Sequence, residues 1–516
     1  MKRPCVYLVG AGPGDPSLIS VRGLRYLAAA DVVVYDHLVQ PRLLRSARSD
    51  AELIDVGAAS PKPLEQEAIA YLLAEKAREN LVVVRLKWGD PFVFDDGGKE
   101  ALYLAEQGVP FEVVPGIPAA IGVPCYAGVP ITYPGAGDVV VFVRGHEGEG
   151  HELPKLDWER LANLGGTIVC YVGPQQLPRM VTALIKHGRS PDENAALVYN
   201  GTLPDQTAVV GTLAEIAEAT GETSARLPAI LVVGAVAGLR DHLHWFDRRS
   251  LHGQRVLVTR ARDQATDLVE LLEEHGADTV VAPTIDIAPP DDLAPLDEAC
   301  ARIGSFDWVV FTSVNGVDHF MRRLLAGPGD VRDLKGVRIC TIGPATAQRL
   351  TRYGLKVNLM PDEFRAEAIV AALGASADIG GKRFLLPRAD LAREHLAKAL
   401  ADVGADVTEV VAYRTLPVAP ESGDVPDVYR LLLDKKIDIV TFTSASTVRN
   451  FARQIGADPA ADLLRSTLVA CIGPVTADAA EQLGIHPTVV PSTYTVPAMV
   501  HAIVAHVRQQ REDGAS

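Results

Sequence analysis

The sequence predicts an α/β protein made of two consecutive blocks, and three observations carry that prediction. Short apolar runs end again and again in Gly/Pro turns followed by helical stretches, which is the rhythm of parallel sheets. That rhythm restarts at Gly253-Gln254-Arg255-Val256-Leu257-Val258-Thr259-Arg260, after a short polar stretch from Arg248 to Gly253. Beyond it the motifs repeat: Phe311-Thr312-Ser313 is echoed by Phe442-Thr443-Ser444, Ile342-Gly343-Pro344 by Ile472-Gly473-Pro474, and Val256–Ala261 by Phe384–Ala389. Repeats this far apart mark a duplicated domain and not a solenoid.

The first strand, Val6 to Val9, runs into Gly10-Ala11-Gly12-Pro13-Gly14-Asp15-Pro16, and Leu18 to Ala30 reads as a helix. Glycines there let a ligand approach the backbone closely. A dinucleotide fingerprint fails, because Asp15 holds the third glycine's place and Pro13 removes an N–H. No Lys-Ser/Thr pair follows, which excludes a P-loop. Val32 to Val34 is the next strand, ending in Tyr35-Asp36; Leu64 to Ala77 is helical; Leu81 to Leu86 is a buried strand opening into Lys87-Trp88-Gly89-Asp90-Pro91. After a helix from Lys99 to Gln107, Phe111 to Val114 leads into Pro115-Gly116-Ile117-Pro118. Three Gly/Pro turns at successive strand ends converge on the edge where open parallel sheets bind ligands. A second group of strands is expected at Val139–Val143, Thr167–Val172, Ala196–Tyr199 and Ala229–Val233, with Asn200-Gly201-Thr202 closing the third.

A formal charge of −15 argues against a nucleic-acid surface, and the longest apolar run, Leu227 to Leu239, is too short to span a bilayer. Six cysteines without a CxxC pair point away from a disulfide framework and toward a reducing, cytoplasmic location. His242, His244 and His252 lack an acid or cysteine at ligand spacing, so no metal is expected.

Taken together, residues 1–246 resemble the S-adenosylmethionine-dependent tetrapyrrole methylases. The resemblance rests on Gly10–Pro16, Tyr35-Asp36-His37-Leu38-Val39, Arg85–Phe94, Val114-Pro115-Gly116-Ile117, Gly145-His146 and Asn200-Gly201-Thr202. Residues 253–510 are similar to uroporphyrinogen-III synthases through the recurring Phe-Thr-Ser and Ile-Gly-Pro turns. The implied architecture is a methylase with subdomains of about 1–132 and 133–246, then a two-lobed synthase. In the synthase the repeat order implies one lobe from 253–288 plus 418–510 and another from 292–414.

The methylase resemblance implies S-adenosylmethionine in a trough lined by Pro13, Trp88, Gly89, Asp90, Val93, Pro118, Ala119, Val172 and Gly201, with Asp36 as proton acceptor. Five positions depart from the family: Ala58 follows Gly57 where a lysine is usual, Trp88 and Val172 replace a glycine and a methionine, and Asp95-Asp96 replaces Gly-Arg. The synthase resemblance implies Tyr413 as the group assisting loss of a hydroxyl, and Ser313, Ser444 and Thr476 as carboxylate ligands. The substrates implied are tetrapyrroles, neither nucleic acid nor membrane is an implied partner, and the methylase family implies a homodimer. A bifunctional enzyme is the leading expectation. The alternative is an active synthase whose methylase half only binds or regulates. Plainer roles compete at each site: Asp36 and Asp90 as turn residues, Ser313 and Ser444 as helix caps, Tyr413 as a packer.

Overall fold

In a computed structural model of the protein, the described residues are 5–57, 60, 63–145, 153–173, 175–223, 229–361, 366–376, 379–390, 395–417 and 427–514. Ala58, His146 and the expected lobe boundary at 418 lie outside them. The chain divides into two compact units: Met1–Gln254 with Leu272–Asp278 and Val507–Ser516, and Arg255–Leu271 with Thr279–His506.

The first unit begins with five parallel strands: β1 (Cys5–Gly10), β2 (Val32–Tyr35), β3 (Glu52–Asp55), β4 (Val82–Lys87) and β5 (Phe111–Val114), in the order β3-β2-β4-β1-β5. Alternating residues feed two cores. Val6, Leu8 and Val83 face one, and Val9, Val33 and Val84 the other, so both faces are covered as a parallel sheet requires. The expected helix from Leu18 is shorter. It spans Val21–Leu27, because Ser20 caps it by accepting from the Gly23 N–H, and Pro16–Leu18 forms a separate turn.

The second sheet holds β6 (Val140–Arg144), β7 (Thr167–Val172), β8 (Asn194–Tyr199), β9 (Thr207–Thr212) and β10 (Ala229–Val233), in the order β6-β7-β10-β8-β9. Only β6 and β7 run parallel; the other pairs are antiparallel. Strand β9 is a partly exposed edge strand, and it lacks the continuous burial that marks its neighbour β8.

The second unit contains β11 (Arg255–Val258), β12 (Asp278–Val281), β13 (Ile285–Ala288), β14 (Trp308–Phe311), β15 (Arg338–Thr341), β16 (Arg383–Ala389), β17 (Asp406–Pro417), β18 (Ile439–Phe442) and β19 (Leu468–Cys471). They form two sheets, β12-β11-β18-β19 and β13-β17-β16-β14-β15. Strand β13 runs antiparallel to β17 and so joins the second sheet, although the repeat order puts residues up to 288 with the first. The cause is geometric: β17 has 12 residues against seven in β16, and its overhang offers an open edge. Among the described residues no helix is long and apolar enough to cross a membrane.

Candidate active sites

In the first unit the glycine turns meet backbone to backbone. A Cβ on Gly10 would lie 2.5 Å from Gly116, and one on Gly116 would lie 2.1 Å from the Gly89 carbonyl oxygen. No side chain fits at either position. Gly12 and Gly89 exchange two backbone hydrogen bonds, at 3.2 and 2.8 Å, with both residues at positive φ. Asp90 locks the third turn to them: its carboxylate accepts from the Phe92 N–H at 2.8 Å and from the Gly116 N–H at 3.0 Å. Trp88 does likewise for the first, donating from Nε1 to the Pro13 carbonyl at 2.8 Å.

Beside these turns lies a small recess of about 40 Å³. Pro13, Gly14, Leu38, Trp88, Val198 and Gly201 are among its walls, so it draws on both sheets of the unit. Gly201 is obligatory, since a Cβ there would lie 2.3 Å from Val123. Of the expected trough residues, Pro13, Trp88 and Gly201 line the recess. Gly89 and Asp90 build its turns. Pro118 starts the helix Ala119–Tyr126, Ala119 and Val172 are buried, and Val93 is half-buried. The expected loop Gly10–Pro16 is fastened by residues the motif did not reveal: the Asp15 carboxylate accepts from the Tyr126 hydroxyl at 3.0 Å, and the Asp15 N–H donates to the Thr202 hydroxyl at 3.0 Å.

Asp36 leaves the C-terminal end of β2, two residues before the recess-lining Leu38. One carboxylate oxygen accepts from the Leu38 N–H at 3.3 Å, and the other lies 3.6 Å from the Arg85 guanidinium. Arg85 belongs to a buried charge cluster that went unnoticed in the motifs. Arg85 lies 3.2 Å from Glu100, and Lys87 lies 2.9 Å from Glu100 and 2.8 Å from Asp95. Arg85 and Lys87 are two apart in central β4 and therefore share a face, and a buried strand carrying two such cations must find acids. Burial works against the Glu100 carboxylate, but the Arg85 and Lys87 charges outweigh it and hold Glu100 below its ordinary value. At Asp95 burial wins and pushes the carboxyl up, with the Asp36 charge adding to the effect and Lys87 opposing it. Removing one member of such a cluster strands a buried charge, at a cost of about 3–5 kcal/mol.

In the second unit the Tyr413 hydroxyl lies 3.0 Å from Ser313 Oγ, and Asn315 also hydrogen-bonds the phenol. Ser313 caps the helix Val314–Ala326 by accepting from the Gly316 N–H at 3.0 Å. Ser444 caps Ala445–Ile455 in the same way, accepting from the Thr447 N–H at 3.2 Å. Thr476 is 4% exposed inside the first turn of Pro474–Glu481, whereas its neighbour Val475 is 73% exposed. Burial pushes the Tyr413 phenol up, which keeps it a proton-bearing donor.

Arg260 was absent from the expected site. It follows β11 and donates to Gln264 at 3.3 Å, and Gln264 in turn hydrogen-bonds Asn315 beside Tyr413. Among the described residues Arg260 has no carboxylate within ion-pair distance, and burial pushes its guanidinium down against the pull of Asp267. The histidines near the end of the first unit have ordinary duties: His244 Nδ1 meets the Arg240 carbonyl, and its Nε2 accepts from Arg248.

A glycine-walled recess at parallel strand ends, followed by duplicated lobes bearing a buried phenol and a largely buried arginine, defines a chain of two α/β enzymes for small molecules. Comparison with known proteins gives the particular kind. Residues 5–217 match the family model of tetrapyrrole (corrin/porphyrin) methylases, and residues 266–501 match that of uroporphyrinogen-III synthase HemD. The porphyrin biosynthesis protein HemD of Ruminiclostridium josui is 35% identical over 506 residues, covering 98% of each chain. An S-adenosyl-L-methionine-dependent uroporphyrinogen III methyltransferase of Methanosarcina barkeri is 47% identical over 46% of this chain and 94% of its own. A crystal structure of uroporphyrin-III C-methyl transferase from Thermus thermophilus, complexed with S-adenyl homocysteine, is 38% identical over 46% of this chain and 99% of that one, with a TM-score of 0.40. The chain belongs to the family in which a tetrapyrrole methylase is joined to a uroporphyrinogen-III synthase.

Proposed function

We propose that the chain carries out two successive steps of tetrapyrrole synthesis. Its second unit closes hydroxymethylbilane to uroporphyrinogen III with inversion of ring D. Its first unit methylates that product at two ring carbons to give precorrin-2. The observation that carries the methylase reading is the glycine-built recess at the parallel strand ends, walled by backbone and apolar side chains, with Asp36 two residues before its lining Leu38.

S-adenosylmethionine supplies an electrophilic methyl group when bound. Its apolar and hydrogen-bonding parts suit a recess walled by Leu38, Val198, Ile230 and the turns at Pro13 and Gly201. The chain's task is alignment and exclusion of water, since an activated methyl needs orientation more than it needs a strong base. Asp36 then receives the proton that leaves the methylated ring. In the synthase, Tyr413 donates a hydrogen bond to the departing hydroxyl. Arg260, Ser313, Ser444 and the free N–H groups of the capped helices hold substrate carboxylates. Thr476 is left out, because its side chain is buried within its own helix. A homodimer formed through the methylase half is part of the same reading, and sedimentation of the full chain tests it.

The test of the methylase reading is Asp36→Asn, which keeps shape and removes basicity. Methylation is expected to fall by about 10²–10⁴-fold, with S-adenosylmethionine affinity and cyclisation unchanged. Methylation at the wild-type rate would make Asp36 a turn residue. A wild-type chain that binds the cofactor and never methylates would leave the first unit a binding or regulatory module.

A further inference from the structure

The Tyr413 phenol stands at one end of a chain of hydrogen bonds whose direction is set from the other end. Arg260 Nε donates to Gln264 Oε1 at 3.3 Å, and Gln264 Nε2, on the helix Arg262–Glu274, donates to Asn315 Oδ1 in the first turn of Val314–Ala326. Asn315 in turn hydrogen-bonds the phenol on β17. A guanidinium can only donate, so Gln264 must face Arg260 with its oxygen, which leaves its NH2 group for Asn315. Asn315 meets that donor with Oδ1, and its own NH2 is the group left for the phenol oxygen. Ser313 Oγ lies 3.0 Å from the same oxygen and already accepts from the Gly316 N–H, so the serine proton can be donated there too.

The echoed turn lacks this chain. Ser446 occupies the place of Asn315, and it turns back on Ser444 at 2.8 Å. The relay therefore belongs to the one copy that carries the phenol.

We propose that Gln264 and Asn315 are positioning residues for cyclisation: they relay the donor polarity of Arg260 to Tyr413, so that the phenol oxygen accepts from the protein and the phenol proton is kept for the departing hydroxyl. The step balances as follows. The carbon–oxygen bond of the hydroxymethyl group breaks with its pair on oxygen, which takes the phenol proton and leaves as water. The phenolate is held by the Asn315 N–H and the Ser313 O–H, and the proton lost by the closing ring restores it. Bonds donated to the oxygen favour its charged form, and a chain of them ending on a cation strengthens each. Burial and the charge of Asp390, next after β16, work the other way and keep the resting phenol protonated. The His319 ring centre lies 5.8 Å from that of Tyr413, and Asp267 acts on Arg260 from beyond ion-pair distance.

The inference rests on the synthase reading and is tested on the full chain with hydroxymethylbilane. Gln264→Glu keeps the shape but offers Arg260 and Asn315 only acceptors, so Asn315 must turn its NH2 toward the new carboxylate and its oxygen toward the phenol. Asn315→Asp removes the donor directly. Each is expected to lower kcat for cyclisation roughly three- to tenfold, the worth of one hydrogen bond. Neither lowers it further once Tyr413→Phe is present, because both act through the phenol. Unchanged kcat with only KM raised, or an equal loss in the Tyr413→Phe background, overturns the inference and leaves the two amides as binding or packing groups. If neither variant folds, the Raman difference between the wild-type chain and Tyr413→Phe decides. A tyrosine ring doublet of an oxygen that accepts hydrogen bonds supports the inference, and that of a phenol that only donates overturns it. A wild-type chain that forms no uroporphyrinogen III contradicts the synthase reading instead, and the Raman comparison still decides the relay.

Discussion

The two Phe-Thr-Ser turns of the second unit are copies down to the capping hydrogen bond, yet different partners reach them. Ser313 caps its helix and also meets the Tyr413 hydroxyl from β17. Ser444 caps its helix and, among the described residues, meets Ser446 and Thr447, its own neighbours. The paired arginines diverge in the opposite sense. Arg388, near the end of the echoed strand, is paired with Glu409, while Arg260 keeps no acid within ion-pair distance among the described residues. The second sheet thus supplies the phenol, and the first supplies a cation that no described carboxylate meets at ion-pair distance. Duplication accounts for the scaffold, and the chemistry sits where the copies differ.

That asymmetry can be broken most severely at Tyr413. Tyr413→Phe is expected to slow cyclisation by about 10²-fold or more, read as uroporphyrinogen III formed per enzyme, with methylation of supplied uroporphyrinogen III unaltered. Because burial raises the phenol from its ordinary value of 10.0, it stays protonated as pH rises through that value, so the wild-type rate shows no alkaline loss there from this group. An alkaline limb below pH 10 that disappears in the Phe variant would contradict the donor role.

The arginine pair sharpens the comparison. Arg260→Gln is expected to raise KM for hydroxymethylbilane roughly ten- to hundredfold, the worth of one charge-assisted hydrogen bond, with a smaller change in kcat. Its counterpart Arg388→Gln is expected to change both by about twofold at most, since its charge is already taken up by Glu409 and is not offered to substrate. Equal effects at the two positions would remove the distinction between the lobes.

The smallest expected difference lies in the caps. Ser313→Ala and Ser444→Ala should each cost about 1 kcal/mol in denaturant unfolding. Only Ser313→Ala also removes a partner of the phenol, so it is expected to lower the cyclisation rate several-fold more than Ser444→Ala does.

How much of this was legible in the sequence depended on range. The glycine turns were readable because contact between backbones leaves one residue type: Gly10, Gly116 and Gly201 have no space for a Cβ. The helix caps at Ser313 and Ser444 were readable because they act within three residues. Asp36 was placed correctly at a strand end, but its partner Arg85 lies 49 positions away and carries no motif of its own. The Lys87–Asp95–Glu100 cluster was hidden similarly, although two cations in an otherwise apolar central strand were a usable signal. Thr476 was chosen as a carboxylate ligand, and helix phase, which decides burial, turned it inward. Strand β13 was assigned by its position in the repeat, whereas the overhanging edge of β17 determined where it paired.

The central claim is that one chain performs both steps in order. The most direct measurement is to incubate the full chain with hydroxymethylbilane, with and without S-adenosylmethionine, and identify the products by mass and ring-isomer analysis. The account predicts uroporphyrinogen III alone without the cofactor, and the twice-methylated product precorrin-2 when it is present. Uroporphyrinogen III as the sole product in both reactions, or the uninverted isomer in either, would contradict it.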